Sequence, residues 1–218
     1  MDLSFDRIVP HIPFILEGIW VTLQFVSVSL IIGLLLGIIL AFFKIGRVGI
    51  LRFLANAYTS IFRGTPLILQ LSIIYFGVPQ FGIDISAYVA GVLAFGLNSA
   101  AYVSEIIRAG IQAVDKGQQE AADALGVPYR HTMLHIILPQ AFRNILPALF
   151  NEFINLTKES AIVSVIGVMD LMRRAQIVNA QLYTYFETFL LIGLVYYILV
   201  MGLTLIGRFI ERRLQRSD

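Results

Sequence analysis

Two apolar stretches of this sequence each carry a row of polar side chains at helical spacing. The rows are Asn98, Tyr102 and Glu105 in the first stretch, and Glu152, Asn155 and Glu159 in the second. Spacings of three and four residues place the members of each row on one face of a helix. In a helix that crosses a membrane, a central charge costs at least about 2.5 kcal/mol, so ionisable side chains there face protein or water. The two rows therefore predict either a lined pathway for a polar solute or a hydrogen-bonded interface between helices.

Some of the polar residues also have structural interpretations. Glu105 precedes Arg108 by three residues, a spacing that favours an ion pair within one helix over a ligand site. For Glu152, a ligand role and a packing role are equally compatible with the sequence. Arg63, which precedes Gly64-Thr65-Pro66, is interpreted as an interfacial charge before a new helix rather than as a solute contact. In that interpretation the threonine is a helix cap and the proline lies in the first turn.

The composition indicates that the surroundings of this chain are a membrane. Hydrophobic residues make up 58% of the 218 residues, charged residues make up 14%, and the mean hydropathy is +0.81. A soluble domain has about 25% charged residues. The chain has no cysteine, which excludes disulfides, thiolate zinc sites and thiol catalysis, and we expect no metal site. The basic residues are scattered rather than clustered, so no nucleic-acid partner is expected.

Five segments are long and apolar enough to cross a hydrocarbon core about 30 Å thick. They cover approximately residues 14–43, 57–79, 85–107, 144–163 and 185–207. We therefore predict an all-α integral membrane protein with five transmembrane helices in a single domain, residues 1–218. The residues before the first span include Asp2, Asp6 and Pro10 and lack the pattern of a signal peptide, so the first span is expected to be retained. The odd number of spans excludes a simple inverted repeat, and dimerisation would have to supply symmetry.

The distribution of basic residues predicts the orientation. Three regions that follow the first, third and fifth spans are rich in Lys and Arg: Lys44, Arg47, Arg52 and Arg63; Arg108, Lys116, Arg130 and Arg143; and Arg208, Arg212, Arg213 and Arg216. By the positive-inside rule these regions are cytoplasmic. The connection 79–86 has no basic residue and carries Asp84, so it is expected outside. The amino terminus is then outside and the carboxyl terminus inside, with Arg173 and Arg174 as exceptions in an outer loop.

The most polar part of the chain is the connection between the third and fourth spans, approximately residues 112–139. Residues 118–125 are good helix formers, Gly126 stands at the expected end of the helix, and Pro128 prevents its easy continuation. Glu120 lies where an acidic side chain favours the amino-terminal dipole. One face of the helix is small and apolar and consists of Ala121, Ala122 and Leu125. A helix so short needs a partner surface to be stable.

The same loop carries a family motif. Glu120-Ala121-Ala122, then Gly126, then Ile136-Ile137-Leu138-Pro139 resembles, at every defined position, the signature of the permease subunits of ATP-binding-cassette (ABC) importers. Three further segments, residues 62–70, 98–108 and 151–160, resemble the branch of that family that carries polar amino acids. The resemblance covers nearly the whole chain and agrees with five spans.

The resemblance implies a type I ABC importer permease fold in a bacterial cytoplasmic membrane, in contact with lipid. It also implies partners: a dimer of ATPase subunits that bind ATP and Mg, a second permease copy or paralogue, and an extracytoplasmic amino-acid-binding protein. The loop would be the coupling helix, whose ATPase contacts are Glu120, Ala121, Ala122, Leu125 and Gly126. The amino acid would lie between the third and fourth spans, where carboxylates and amides suit it, on the residues Asn98, Tyr102, Glu152, Asn155 and Glu159. The chain itself would bind no cofactor.

Two other functions are weaker interpretations. An ion-coupled secondary carrier or channel for a small polar solute would use the same carboxylates, but it leaves the motif in the loop unexplained. For an intramembrane enzyme, no His-Glu-x-x-His, Gly-x-Gly-Asp or Gly-x-Ser-x-Gly motif is present. The chain also lacks a Gly-x-x-x-x-Gly-Lys-Ser/Thr phosphate loop, so ATP hydrolysis is expected on separate subunits and no catalytic residue is assigned here.

Overall fold

The computed structural model describes residues 5–215, and all regular secondary structure within them is helical. The α-helices are α1 (Ile12–Ile45), α2 (Gly49–Gly64), α3 (Leu67–Ser72), α4 (Ala87–Gln112), α5 (Lys116–Ala124), α6 (Tyr129–His131), α7 (Leu138–Glu159), α8 (Leu171–Leu182) and α9 (Tyr185–Gln215). Short 3₁₀ segments lie at Phe5–Arg7, Val9–His11, Val78–Phe81 and Ser160–Ile166, and π-helical turns lie at Ile73–Gly77 and Thr132–Ile137.

Four helical segments are long and apolar enough to span a membrane, and a bent pair of helices brings the possible number to five. The four are Phe5–Ile45, Ala87–Gln112, Tyr129–Ile166 and Tyr185–Arg213, and the pair is Gly49–Gly64 with Leu67–Phe81, bent by 102°. The predicted all-α membrane fold is confirmed. The continuous second span predicted over residues 57–79 is not formed, because the chain turns sharply between α2 and α3 inside that range.

Helix α4 packs along α1 through two glycines of α1. A methyl group added at Gly33 would lie 2.8 Å from Ser99 Cβ, and one added at Gly37 would lie 2.6 Å from Val103 Cγ1. Contacts this short leave no room for any side chain, so the two backbones approach as closely as small residues allow.

At one end of this helix pair, Lys44 of α1 is buried against α4. Its Nζ donates to Ser104 Oγ at 2.8 Å and to Glu105 Oε1 at 2.6 Å. The other carboxylate oxygen of Glu105 accepts from Arg108 Nη2 at 2.6 Å. The predicted ion pair between Glu105 and Arg108 is therefore present, and it is part of a three-residue network that also ties α1 to α4.

In the half of the bundle away from α5, apolar side chains of five neighbouring elements form one buried cluster. Phe25 of α1 contacts Phe95 of α4 edge to face at 5.0 Å, and both are fully buried. Leu71 of α3, Leu156 of α7 and Val163 of the following 3₁₀ segment complete the same cluster. Burial of such side chains is worth about 1.5–3 kcal/mol each, so this cluster holds the five elements together.

Arg174, one of the two basic residues that did not fit the charge rule, is neutralised by an acidic side chain of α1. Arg174 Nη1 donates to Glu17 Oε2 at 2.6 Å and to the carbonyl oxygen of Phe14 at 2.9 Å. Asp170 caps α8 by accepting from the backbone N–H of Arg173 at 2.8 Å, and burial raises the pKa of its carboxyl to about 6. Arg174 thus has a partner on α1, which a count of loop charges does not reveal.

Candidate functional site

The break between α2 and α3 is built around a missing hydrogen-bond donor. In a continuous helix the N–H of residue 66 would donate to the carbonyl of Phe62, but Pro66 has no N–H. Two side chains supply the donors instead: Gln70 Nε2 lies 2.8 Å from Phe62 O, and Asn98 Nδ2 of α4 lies 3.0 Å from it. Asn98 Nδ2 also donates to Gln70 Oε1 at 3.0 Å. The break is therefore held in place against α4 by a buried amide network.

Thr65 belongs to this network rather than to a helix cap. Its Oγ1 donates to Ile61 O at 2.8 Å and accepts from Gln70 Nε2 at 2.8 Å. Helix α3 has Pro66 at its cap position and no capping side chain, so the predicted capping role of Thr65 is not formed. One turn before the break, Tyr58 Oη donates to Leu97 O at 2.7 Å, which adds a second attachment of α2 to α4.

Asn98 has a different environment from the one predicted for it. The sequence grouped it with Tyr102 and Glu105 as the polar face of a pathway, but its amide nitrogen is occupied by Phe62 and Gln70, and the residue is only 5% exposed. Glu105, on the same face, is occupied by Lys44 and Arg108. Of this first row, Tyr102 is the member that presents an accessible surface, at 37% exposure.

Arg63 lies in the last turn of α2, next to the break, and its side chain contacts α4. Its guanidinium carbon is 5.3 Å from the ring centroid of Tyr102, in cation–π contact. Arg63 is exposed, so this contact lies at the surface of the described chain. The interpretation of Arg63 as an interfacial charge in a cytoplasmic group stays a prediction.

The second polar row lies on α7 as predicted. Glu152 is 7% exposed, and its Oε1 accepts from Ser99 Oγ of α4 at 3.0 Å. Asn155 and Glu159 follow on the same face and are exposed. The structure thus brings Glu152 close to α4, as the sequence predicted, while its α4 neighbour is Ser99 rather than Asn98. Ser99 was not a predicted site residue, since a serine in an apolar helix is indistinguishable from packing.

The short helix predicted in this loop is present as α5, and its exposed face differs in one residue from the predicted one. It begins at Lys116, capped by Asp115, whose Oδ1 accepts from the N–H of Gly117 at 2.8 Å, so Glu120 lies in the middle of the helix rather than near its start. Ala121 and Glu120 are exposed, and Leu125 is 82% exposed. Ala122 is 3% exposed and packs against its own chain, so of the three predicted apolar residues only Ala121 and Leu125 are accessible.

Gly126 ends this helix in a conformation that requires glycine. Its φ is +70°, in the left-handed region, and a Cβ there would meet no atom of this chain within 4 Å. Glycine is therefore required at this position by the left-handed backbone conformation and not by a lack of space for a side chain. The N–H of the following Val127 donates to Ala122 O at 2.9 Å and closes the turn.

A π-helical turn joins the α5 region to α7. It covers Thr132–Ile137, and Pro139 follows it. In an α-helix the Pro139 ring would clash with the carbonyl of His135, and widening the helix by one residue per turn relieves the clash. The second π turn, Ile73–Gly77, has the same relation to Pro79, whose clash would be with Tyr75. The prolines were visible in the sequence, but their effect on helix width was not predicted.

Comparison with known proteins agrees with this architecture. Residues 33–216 match the family described as the binding-protein-dependent transport system inner membrane component. The chain therefore belongs to this family. The predicted membership among importer permeases is confirmed, and so is the prediction that this membrane component is a permease subunit rather than an enzyme.

Relatives of this inner membrane component match it over nearly its whole length. It is 58% identical to the arginine transport system permease protein ArtQ of Bacillus subtilis (strain 168), covering 100% of both chains. It is 54% identical to the putative glutamine transport system permease protein GlnP of Rickettsia typhi, covering 94% of both. A crystal structure of an amino acid ABC transporter with histidines superposes with a TM-score of 0.94 at 45% identity, covering 98% of this chain and 100% of that one.

Proposed function

We propose that this chain forms the membrane pathway of an ABC importer for a polar amino acid with a cationic side chain, with arginine as the first candidate. The observation that carries the proposal is the buried carboxylate of Glu152 between α4 and α7, in a chain 58% identical to an arginine permease. A second carboxylate, Glu159, lies on the same face of α7. Two carboxylates favour a cationic side chain over the neutral amide of glutamine, which the relatives from Rickettsia are named for.

The proposed substrate site consists of Tyr102 on α4 and Glu152, Asn155 and Glu159 on α7. In this site Glu152 is the charge partner of the substrate, Asn155 donates or accepts hydrogen bonds, and the ring of Tyr102 forms an apolar and aromatic wall. Asn98 was predicted as a ligand. In the proposed site it contributes indirectly, because its amide holds the break between α2 and α3 in place.

The proposed energy source lies on partner subunits. Two ATPase subunits, which bind ATP and Mg, would contact Ala121, Leu125, Glu120 and the turn at Gly126, all of which are exposed. A second permease copy or paralogue and an extracytoplasmic receptor for the amino acid would complete the importer in the bacterial cytoplasmic membrane. Ala122, buried within the chain, would act by holding α5 on the π turn rather than by touching the ATPase.

Replacing Glu152 by glutamine is expected to weaken amino-acid binding to the assembled permease–ATPase complex. Loss of a charge-assisted hydrogen bond in a desolvated site costs about 1.5–3 kcal/mol, which corresponds to roughly a tenfold to more than a hundredfold loss in affinity. Basal ATP hydrolysis should persist, since the coupling loop is untouched. The measurement is equilibrium binding of labelled arginine to the purified complex, beside a thermal melting curve.

A matched variant tests whether the loss of binding is specific to Glu152 or follows the removal of any carboxylate. Asp84→Asn removes an acidic charge from an exposed position in the 82–86 connection and should bind arginine as the unaltered protein does. If Glu152→Gln instead lowers the melting temperature while the remaining protein binds arginine with unchanged affinity, Glu152 is a packing residue and the site assignment is wrong.

The proposed orientation places Ile83 outside and Lys116 and Ser217 inside, the last of which lies outside the described residues. Single cysteines at these positions can be labelled without background because the chain has no cysteine. An impermeant maleimide applied to intact cells should label position 83 and should label positions 116 and 217 only after lysis. If position 217 is labelled in intact cells, the carboxyl terminus is outside and the proposed orientation is wrong.

A further inference from the structure

A groove lies where the ends of three membrane helices meet. It has a volume of about 640 Å³ and is bordered by the last turns of α1 and α4, the start of α7 and the π turn before it. Its lining is mostly apolar and includes Phe42, Ile45, Ile111, Met133 and Leu138. Because the long apolar helices α1 and α4 both end here, the groove lies where the hydrocarbon core of the membrane meets its polar region.

One edge of the groove is basic. Arg47, in the connection between α1 and α2, lines the groove and is exposed. Within residues 5–215, none of the ion pairs or side-chain hydrogen bonds includes its guanidinium. The guanidinium of Arg52 lies beside the groove as well, because its Nη2 donates to the carbonyl oxygen of the lining residue Gly46 at 2.7 Å. The lining residues include no acidic side chain, so the groove combines an apolar wall with positive charge.

The apolar wall of the groove continues along an exposed face of α1. Phe42 is 66% exposed, and three further exposed residues precede it at spacings of four, three and four residues: Ile38, Leu35 and Ile31. These spacings place the four side chains on one face of the helix. In a membrane helix such a face is covered by acyl chains or by another membrane subunit, since a water-soluble subunit does not reach along it. The groove and this face together therefore have the shape and polarity of a phospholipid.

We propose that this groove binds an anionic phospholipid, with its phosphate on Arg47 and Arg52 and an acyl chain along Phe42 and α1. Guanidinium groups bind phosphate oxygens through paired, charge-assisted hydrogen bonds, and basic pockets between membrane helices bind anionic headgroups. Tyr129 lines the groove and is 53% exposed, as expected of an aromatic residue at a membrane interface. Since Tyr129 and Met133 belong to the segment that joins α5 to α7, the bound lipid connects the end of α1 to that segment.

The test measures lipid binding to the purified permease together with the subunits that co-purify with it. Native mass spectrometry follows a titration with phosphatidylglycerol or with phosphatidylcholine of the same acyl chains. The unaltered protein should bind phosphatidylglycerol about tenfold more tightly. Arg47→Gln should reduce this preference about fivefold, because one basic contact is lost, whereas Arg47→Lys should keep most of it. Added phosphatidylglycerol should also raise the melting temperature of Arg47→Gln less than that of the unaltered protein, since stabilisation by a ligand follows its affinity.

Arg212→Gln is the matched control, because it removes an exposed basic side chain near the end of α9 that does not line the groove. It should leave the lipid preference and the melting shift unchanged. An equal loss in Arg212→Gln would mean that anionic lipid gathers on the basic surface in general, which overturns the assignment.

Two further outcomes bear on the same groove. Phe42→Ala should weaken binding of both lipids and leave their ratio unchanged, because it shortens the wall for the acyl chain. Unchanged affinity for both lipids in Phe42→Ala overturns the assignment. If Arg47→Gln keeps the full preference for phosphatidylglycerol, the groove is covered by an ATPase subunit or a second permease copy instead, and the assignment is wrong.

Discussion

Replacing Gly126 by valine is expected to abolish ATP-driven uptake while the protein remains inserted in the membrane. Gly126 has a φ of +70° at the end of α5, and a β-branched residue is rarely found in that conformation. Holding a non-glycine residue there costs on the order of 1–3 kcal/mol, which is large for a helix of nine residues. Helix α5 should then lose the geometry with which we propose that it contacts the ATPase. Uptake and ATP hydrolysis, measured together in proteoliposomes, give the coupling ratio.

A series of substitutions at position 126 tests whether the left-handed backbone conformation or the space available for a side chain explains the glycine. Asparagine tolerates the left-handed region better than alanine does, and a Cβ at position 126 meets no atom of this chain. If conformation decides, coupling should decrease in the order glycine, asparagine, alanine, valine. If the ATPase surface leaves no room, asparagine should be worse than alanine. If the valine variant couples ATP hydrolysis to uptake as well as the unaltered protein does, the turn at Gly126 has no role in coupling.

Replacing Gly37 by leucine is expected to prevent formation of the folded protein. Even the Cβ would lie 2.6 Å from Val103 Cγ1 and 3.1 Å from Ala100 O, so α1 and α4 would have to separate along the whole contact. Overpacking of this kind typically costs about 1–3 kcal/mol per site, and more where backbone is met. The yield of monodisperse protein in detergent and its melting temperature are the measurements.

Gly193→Leu provides the control for this variant. Gly193 is also a helical glycine in an apolar segment, but a Cβ there meets no atom within 4 Å. The control should therefore be purified in normal yield, which excludes a general effect of leucine on insertion. Normal yield and melting temperature for Gly37→Leu would show that the α1–α4 interface is looser than the structure has it.

The features that the sequence predicted correctly depend on local or periodic patterns. Long apolar runs give the membrane helices. The pair Glu105 and Arg108 is one helical turn apart, so its ion pair could be predicted from spacing. The motif around α5 was recognisable because its residues stand at fixed spacings, and Gly126 ends the helix where the sequence predicted.

The features that were missed depend on tertiary contacts. Pro66 was visible, but the donors that compensate for its missing N–H come from Gln70 and from Asn98, which is 36 residues from Phe62 in sequence. Without that network the break, which follows Arg63, could not be predicted from the sequence. Lys44 was counted as a cytoplasmic charge, although its side chain is 1% exposed and ion-paired with Glu105.

The predicted exposure of Ala122 on α5 was wrong for a related reason. Periodicity grouped Ala121, Ala122 and Leu125 as one apolar surface, but it cannot show which apolar residues the chain itself covers. The structure places Ala122 against the chain and leaves Ala121 and Leu125 accessible. A short amphipathic helix has two potential partners, its own protein and another subunit, and only the fold distinguishes them.

The most direct test of the account is uptake of labelled arginine into proteoliposomes that contain the permease, its co-purified ATPase and the receptor. We expect uptake that requires ATP on the ATPase side, stops in the Gly126→Val variant, and is insensitive to sodium or proton gradients. Arginine uptake by the permease alone, driven by an ion gradient in the absence of ATP, would contradict the account and would indicate a secondary carrier.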